Sequence, residues 1–126
     1  MSRVFIIDDD PIHQRIAQIM IDKYQLFDSY ASYTDASQAL EFLEHNADLI
    51  HNLPDVILLD LNMPVIDGWA FLDRYEVIAE KINKTVKIYI VTSSVDEKDK
   101  LRSQKYSYVS GFISKPLSPD IIRSTL

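Results

Sequence analysis

The sequence predicts an α/β fold: one doubly wound sheet of five parallel strands, with helices on both faces. Three observations carry this. Short apolar runs recur along the chain, and unbroken runs of that kind mark strands buried on both faces. Between them lie stretches whose apolar residues repeat at helical spacing. Acidic or small polar residues stand directly after the strands, where open parallel sheets bind their ligands.

Val4-Phe5-Ile6-Ile7 reads as the first strand. Asp10-Pro11 then supplies an N-cap and a proline at the first helical position. Ile12, Ile16, Ile19 and Met20 follow at helical spacing. Residues 27–33 form a weaker second strand. Ala36, Ala39, Leu40, Leu43, Ala47 and Ile50 mark a second helix. Pro54 opens the third strand, Val56-Ile57-Leu58-Leu59. Asp67-Gly68 makes a turn, and Trp69 belongs to the start of the helix carrying Phe71, Leu72, Tyr75, Ile78, Ala79 and Ile82.

Residues 86–91 are strand four. Ser94-x-x-Glu97 is a capping box for a helix from Asp96 to about Tyr106. That helix is polar nearly all round, with Leu101 its main apolar member and few buried anchors. Gly111-Phe112-Ile113 is a short fifth strand, and Ser118-Pro119 starts a last helix of about two turns, marginal in isolation. Because that helix stops at Leu126, either a partner completes it or the natural chain continues.

The chain has 126 residues, 47% of them apolar, so one domain spanning 1–126 with a substantial core is expected, and no output domain. It has no Cys, which excludes disulfides and fits a reducing compartment. Its two glycines cannot write a dinucleotide fingerprint or a P-loop. Net charge is −6, but residues 1–63 carry −8 and residues 64–126 carry +2. A general nucleic-acid binder would present a basic face instead. The longest apolar runs are four residues, far short of the roughly 18 that suggest a membrane span, and no secretory signal opens the chain. A soluble cytoplasmic protein is expected.

The strand ends hold the chemistry. Asp8, Asp9 and Asp10 follow strand one, Asp60 strand three, Thr92, Ser93 and Ser94 strand four, and Ser114, Lys115 and Pro116 strand five. In a parallel sheet these ends share one edge. Crowded carboxylates repel each other unless a cation intervenes, and Mg²⁺ prefers oxygen ligands of this kind. A carboxylate, a Lys, a Thr and Mg²⁺ together suit phosphoryl transfer, with the carboxylate as nucleophile.

The residues Ile6-Ile7-Asp8-Asp9-Asp10-Pro11, the stretch from Val56 to Gly68 with its Asp60-Leu61-Asn62-Met63-Pro64-Val65-Ile66-Asp67-Gly68, Val91-Thr92-Ser93, and Gly111-Phe112-Ile113-Ser114-Lys115-Pro116 resemble the receiver domain of bacterial two-component response regulators. The similarity spans essentially the whole chain. It implies the flavodoxin-like strand order 2-1-3-4-5, of which the family's chemotaxis receiver is a known example.

The resemblance implies roles as well. Asp60 is the phospho-acceptor. Asp9 binds Mg²⁺ directly, Asp8 largely through water, and the Asn62 backbone carbonyl completes the protein ligands. Lys115 pairs with Asp60 and then with the phosphoryl group, across a cis bond to Pro116. Thr92 hydrogen-bonds a phosphoryl oxygen, and Asn62 and Ser94 flank the path of the hydrolytic water. Phe112 occupies the aromatic switch position, where a plain core Phe is the competing reading. Asp10 is read as an N-cap rather than a ligand.

The implied partners are a histidine kinase or phosphotransfer protein as donor and an unnamed protein on the face of helix four, strand five and helix five. The basic residues Lys98, Lys100, Arg102 and Lys105 are otherwise a solvated face. His13, His45 and His51 are expected on the surface, far from the pocket.

Three rivals remain. An aspartyl-nucleophile phosphatase of the haloacid dehalogenase type wants Asp where Asn62 stands. A flavin-binding domain wants a neutral loop where Asp8-Asp9-Asp10 stands. An adaptor that works without phosphorylation would tend to lack Asp60 or Lys115. The protein is thus expected to be a signalling domain and no conventional enzyme.

Overall fold

The computed structural model describes residues 2–63, 66–93 and 96–126. The strands are β1 (Arg3–Ile7), β2 (Ser29–Tyr33), β3 (Val56–Asp60), β4 (Lys87–Thr92) and β5 (Val109–Ser114). The helices are α1 (Pro11–Tyr24), α2 (Ala36–His45), α3 (Gly68–Ala79), α4 (Glu97–Ser103) and α5 (Pro119–Arg123), with a 3-10 turn at Ile50–Asn52. The sheet order is β2-β1-β3-β4-β5 and each pairing is parallel.

The apolar runs are unbroken because each strand feeds two cores. Phe5, Ile7, Ile57 and Leu59 face α2 and α3, joining Leu40, Leu43, Phe71 and Leu72. Val4, Ile6, Val56 and Leu58 face the other way, joining Ala17, Ile21 and Ile122 of α1 and α5. Successive residues of a strand point to opposite faces, so a strand buried on both sides needs apolar residues throughout.

Several elements differ from the sequence expectation. β2 begins at Ser29, while Leu26 and Phe27 are buried in the connection before it. α2 stops at His45, where the Asn46 backbone and side-chain amides both donate to the Phe42 carbonyl. Ile50 is exposed in the 3-10 turn instead of extending that helix.

α1 forms where expected, with Asp10 as its N-cap accepting from Ile12 N at 2.9 Å. Its sheet-facing residues, however, are Gln14, Ala17 and Ile21, leaving Ile12, Ile16 and Ile19 exposed. Helical spacing alone identifies a helix and an apolar stripe, but not which stripe the sheet will cover.

The capping box expected for α4 rests on Ser94, which lies outside the described residues. The N-cap of α4 is Asp96, accepting from Lys98 N at 2.9 Å. Leu101 does not anchor the helix, since it is 63% exposed. Instead the Arg102 guanidinium lies over the Trp69 ring, and Tyr106 and Tyr108 bond to α3 through Asp73 and the Leu72 carbonyl.

Candidate functional site

The strand order reverses between β1 and β3, whose neighbours run outward to β2 and to β4. Ligands bind beyond the carboxyl ends of strands at such a reversal. Asp60 ends β3 there, next to Asp8 and Asp9 just past β1. Thr92 ends β4, and Lys115 follows β5. The four strands that bear these residues are central or adjoining, and their interior packing fixes the spacing of the side chains at the edge.

Asp8 and Asp60 are buried, at 6% and 5% exposure, and Thr92 at 1%. Carboxylate oxygens of Asp8, Asp9 and Asp60 all lie within 4.8 Å of one another. Oxygens on opposite sides of a Mg²⁺ ion lie about 4.2 Å apart, twice the metal–oxygen bond length. The three carboxylates therefore fit one hard divalent ion after a small side-chain rotation, and their summed negative charge favours it. Among the described residues they form the one acidic group of this kind.

Burial raises the Asp60 carboxyl above its ordinary pKa, and the Asp8 carboxylate raises it further. Lys115 and the Asn62 backbone amide, which donates to Asp60 Oδ1 at 3.2 Å, oppose this. Lys115 Nζ lies 3.3 Å from Asp8 Oδ2 and 3.7 Å from Asp60 Oδ1. The Lys115 backbone N–H donates to the Thr92 carbonyl at 2.8 Å, tying the ends of β4 and β5 together. The Lys115–Pro116 peptide bond is cis.

The loop after Asp60 is drawn back under the site by Gly68. Its N–H donates to the Leu61 carbonyl at 3.0 Å. A Cβ there would lie 2.9 Å from the Asp60 carbonyl oxygen and 2.8 Å from Leu61 Cδ2, so only glycine allows this approach. Asp67 then caps α3 through Ala70 N at 2.9 Å. Pro64 and Val65 of this loop lie outside the described residues, as does Ser94, expected beside the hydrolytic water.

Phe112 is half-buried against the core beneath α2 and α3 and lines a groove with Tyr106, Val109 and Gly111. His45 and His51 are exposed, as expected. His13 is not remote from the pocket. Its Nδ1 lies 3.0 Å from Lys115 Nζ and 3.5 Å from both Asp8 Oδ2 and Asp10 Oδ2. His13 stands one turn after the N-cap Asp10, and that first turn of α1 borders the strand ends.

Gln14 is a second residue the sequence reading passed over. Buried at 4% exposure, its Nε2 lies within 3.0 Å of the carbonyls of Ile6, Asp8 and Tyr33. It thus pins the ends of β1 and β2 that lead into Asp8 and Asp9. A polar residue in step with Ala17 and Ile21 on the sheet-facing stripe was the available signal.

Comparison with known proteins agrees with this geometry. The family model "Response regulator receiver domain" matches residues 4–126. A curated relative, "Probable methanogenesis regulatory protein FilR2" of Methanothrix harundinacea, is 24% identical over 98% of this chain and 77% of its own length. "Two-component response regulator ORR1" of Oryza sativa subsp. japonica is 27% identical over 98% of this chain, which spans 53% of that protein. The crystal structure of a two-component response regulator from Cytophaga hutchinsonii superposes with a TM-score of 0.88, at 24% identity, over 99% of this chain and 93% of that one. No helix among the described residues is long and apolar enough to cross a membrane. From the match over residues 4–126 and the shared five-stranded fold, the chain belongs to the response regulator receiver domain family of two-component signalling.

Proposed function

We propose that Asp60 accepts a phosphoryl group from a phosphohistidine donor, carried by a histidine kinase or phosphotransfer protein in the cytoplasm. The observation that supports this is the gathering of Asp60 with Asp8, Asp9 and the Lys115 ammonium at one buried sheet edge. An Asp60 carboxylate oxygen attacks phosphorus in line, so an O–P bond forms as the donor N–P bond breaks. The electron pair of the breaking bond leaves with the donor imidazole. Asp8, Asp9, Asp60 and the Asn62 carbonyl would hold Mg²⁺, which when bound neutralises charge on the phosphoryl oxygens.

Lys115 and Thr92 then donate to the phosphoryl oxygens. Because the Lys115 backbone is bonded to Thr92, a shift of either side chain is felt at the ends of both β4 and β5. Phe112, on β5, is the residue through which that shift reaches the face of α4, β5 and α5, where a protein partner reads it. The domain assists its own phosphorylation and dephosphorylation.

The test is intact mass after incubation with a small-molecule phosphodonor, with and without Mg²⁺. One alkali-labile phosphoryl adduct is expected, dependent on Mg²⁺ and lost in Asp60→Asn. An adduct on another residue, or none from any donor, overturns the proposal.

A further inference from the structure

We propose that His13 is a positioning residue for Lys115, an inference that rests on the phospho-acceptor reading above. An ammonium has three N–H donors and no acceptor. The contact of 3.0 Å between Lys115 Nζ and His13 Nδ1 is therefore a hydrogen bond donated by Lys115. Such a bond calls for the imidazole tautomer with its proton on Nε2, which an imidazole ¹⁵N spectrum reads directly.

Among the described residues, the side-chain atoms recorded beside Lys115 Nζ are His13 Nδ1 at 3.0 Å, Asp8 Oδ2 at 3.3 Å and Asp60 Oδ1 at 3.7 Å. The nearest is the imidazole, not the acceptor aspartate. Two of the three neighbours are carboxylates that a divalent ion also claims. If those oxygens were engaged by the ion, the imidazole would still offer the ammonium an acceptor. An imidazole nitrogen holds an ammonium at the pocket mouth less tightly than a carboxylate does. The ammonium can then pass to the phosphoryl group at little cost.

His13 can play this part because of where α1 begins. Asp10 caps the helix, and its carboxylate lies 3.5 Å from His13 Nδ1, one turn on. On the other side, His13, Ile16, Lys115, Pro116 and Leu117 line a cleft of about 310 Å³, so the imidazole and the lysine share one wall. The His13 side chain is 43% exposed, and its replacement opens no cavity in either core.

The experiment is a double-mutant cycle on phosphorylation of the full chain by acetyl phosphate at saturating Mg²⁺ and fixed pH, followed by intact mass. His13→Ala should lower the rate constant roughly three- to tenfold. His13→Asn, whose amide oxygen can stand where Nδ1 stood, should restore most of it. In a Lys115→Ala background, His13→Ala should change nothing further. An undiminished effect of His13→Ala in that background, or failure of His13→Asn to rescue, overturns the proposal.

A second measurement judges the contact without phosphoryl transfer. In ¹⁵N spectra of the imidazoles, His13 should show the Nε2–H tautomer, with an Nδ1 resonance that moves in Lys115→Ala. An Nδ1 resonance indifferent to Lys115→Ala overturns the contact. If the wild-type chain takes no adduct at all, the phospho-acceptor reading and the role in phosphoryl transfer fall together, and the spectrum still decides the contact.

Discussion

The Arg102 guanidinium lies over the Trp69 indole, 4.5 Å from the ring centroid, and so ties α4 to α3. Trp69 is buried, and Tyr106 stacks on it with ring centroids 6.2 Å apart. The tyrosine hydroxyl donates to Asp73 Oδ1 at 2.5 Å. A helix without apolar anchors is thus held by one cation–π contact and the aromatic residues that follow it. Arg102→Ala should cost about 0.5–1 kcal/mol, the range for an exposed cation–π pair. It should also red-shift Trp69 emission as the indole meets water. An unchanged spectrum would mean that the indole stays covered without Arg102.

Gly68 sets the depth of the loop under Asp60. With contacts of 2.8–2.9 Å awaiting a Cβ, two of them to backbone, Gly68→Ala must push the loop outward. The expected loss is about 1–3 kcal/mol, the range for forced overpacking, read as a lower urea midpoint. Mg²⁺ affinity should fall with it, because Asp60 and Asn62 lie on the displaced segment. A variant as stable as the wild type would show that the loop yields freely.

Asp60 should destabilise the fold at neutral pH in the absence of divalent ions. Burial first, and the Asp8 charge second, raise its carboxyl above the ordinary carboxylate value. The folded chain then holds that proton more tightly than the unfolded chain does. Its contribution to stability is full below the unfolded value of about 3.9 and is lost as pH rises through the raised folded value. Asp60→Asn, which carries no charge, should melt higher than wild type at pH 7, by roughly 3–6 °C for each kcal/mol relieved. The gap should narrow toward pH 4. An Asp60→Asn variant that melts below wild type at pH 7 would contradict this account.

Mg²⁺ should reverse that penalty. An ion bound by the folded chain alone stabilises it by about 2.7 kcal/mol at a hundredfold excess over its dissociation constant. The wild-type melting temperature should rise with Mg²⁺ and saturate, while Asp9→Asn should respond weakly. An equal response in both would remove Asp9 from the ligand set.

Gln14 should behave as a core polar clamp. Gln14→Leu keeps the volume but strips the donor from the carbonyls of Ile6, Asp8 and Tyr33. The Tyr33 carbonyl keeps the Asp8 N–H, so the loss falls on the Ile6 and Asp8 carbonyls and should be about 1 kcal/mol. Thermal unfolding reads that loss, and Mg²⁺ titration should weaken as well, because Asp8 and Asp9 follow the loosened strand end.

The local signals in the sequence were enough for the strands, most caps and the acidic edge. Val56-Ile57-Leu58-Leu59 read as a strand buried on both faces, with Asp60 at its end, and the structure agrees. Asp10-Pro11 and Ser118-Pro119 marked helix starts because a side-chain oxygen followed by proline meets the needs of a first turn. Family resemblance then supplied the strand order, which no local pattern contains. What the tertiary structure decided were the contacts made across long stretches of chain. His13 meets Lys115 across 102 residues because α1 begins and β5 ends at the same sheet edge. Arg102 meets Trp69 because the sheet carries the first turn of α3 and the end of α4 near each other. The stripe of α1 that faces the sheet is Gln14, Ala17 and Ile21, not Ile12, Ile16 and Ile19, because Ala17 and Ile21 pack in the core beneath it and Gln14 gives the strand ends a donor. Periodicity is a property of neighbours in sequence, and such pairings depend on how distant elements are placed against one another.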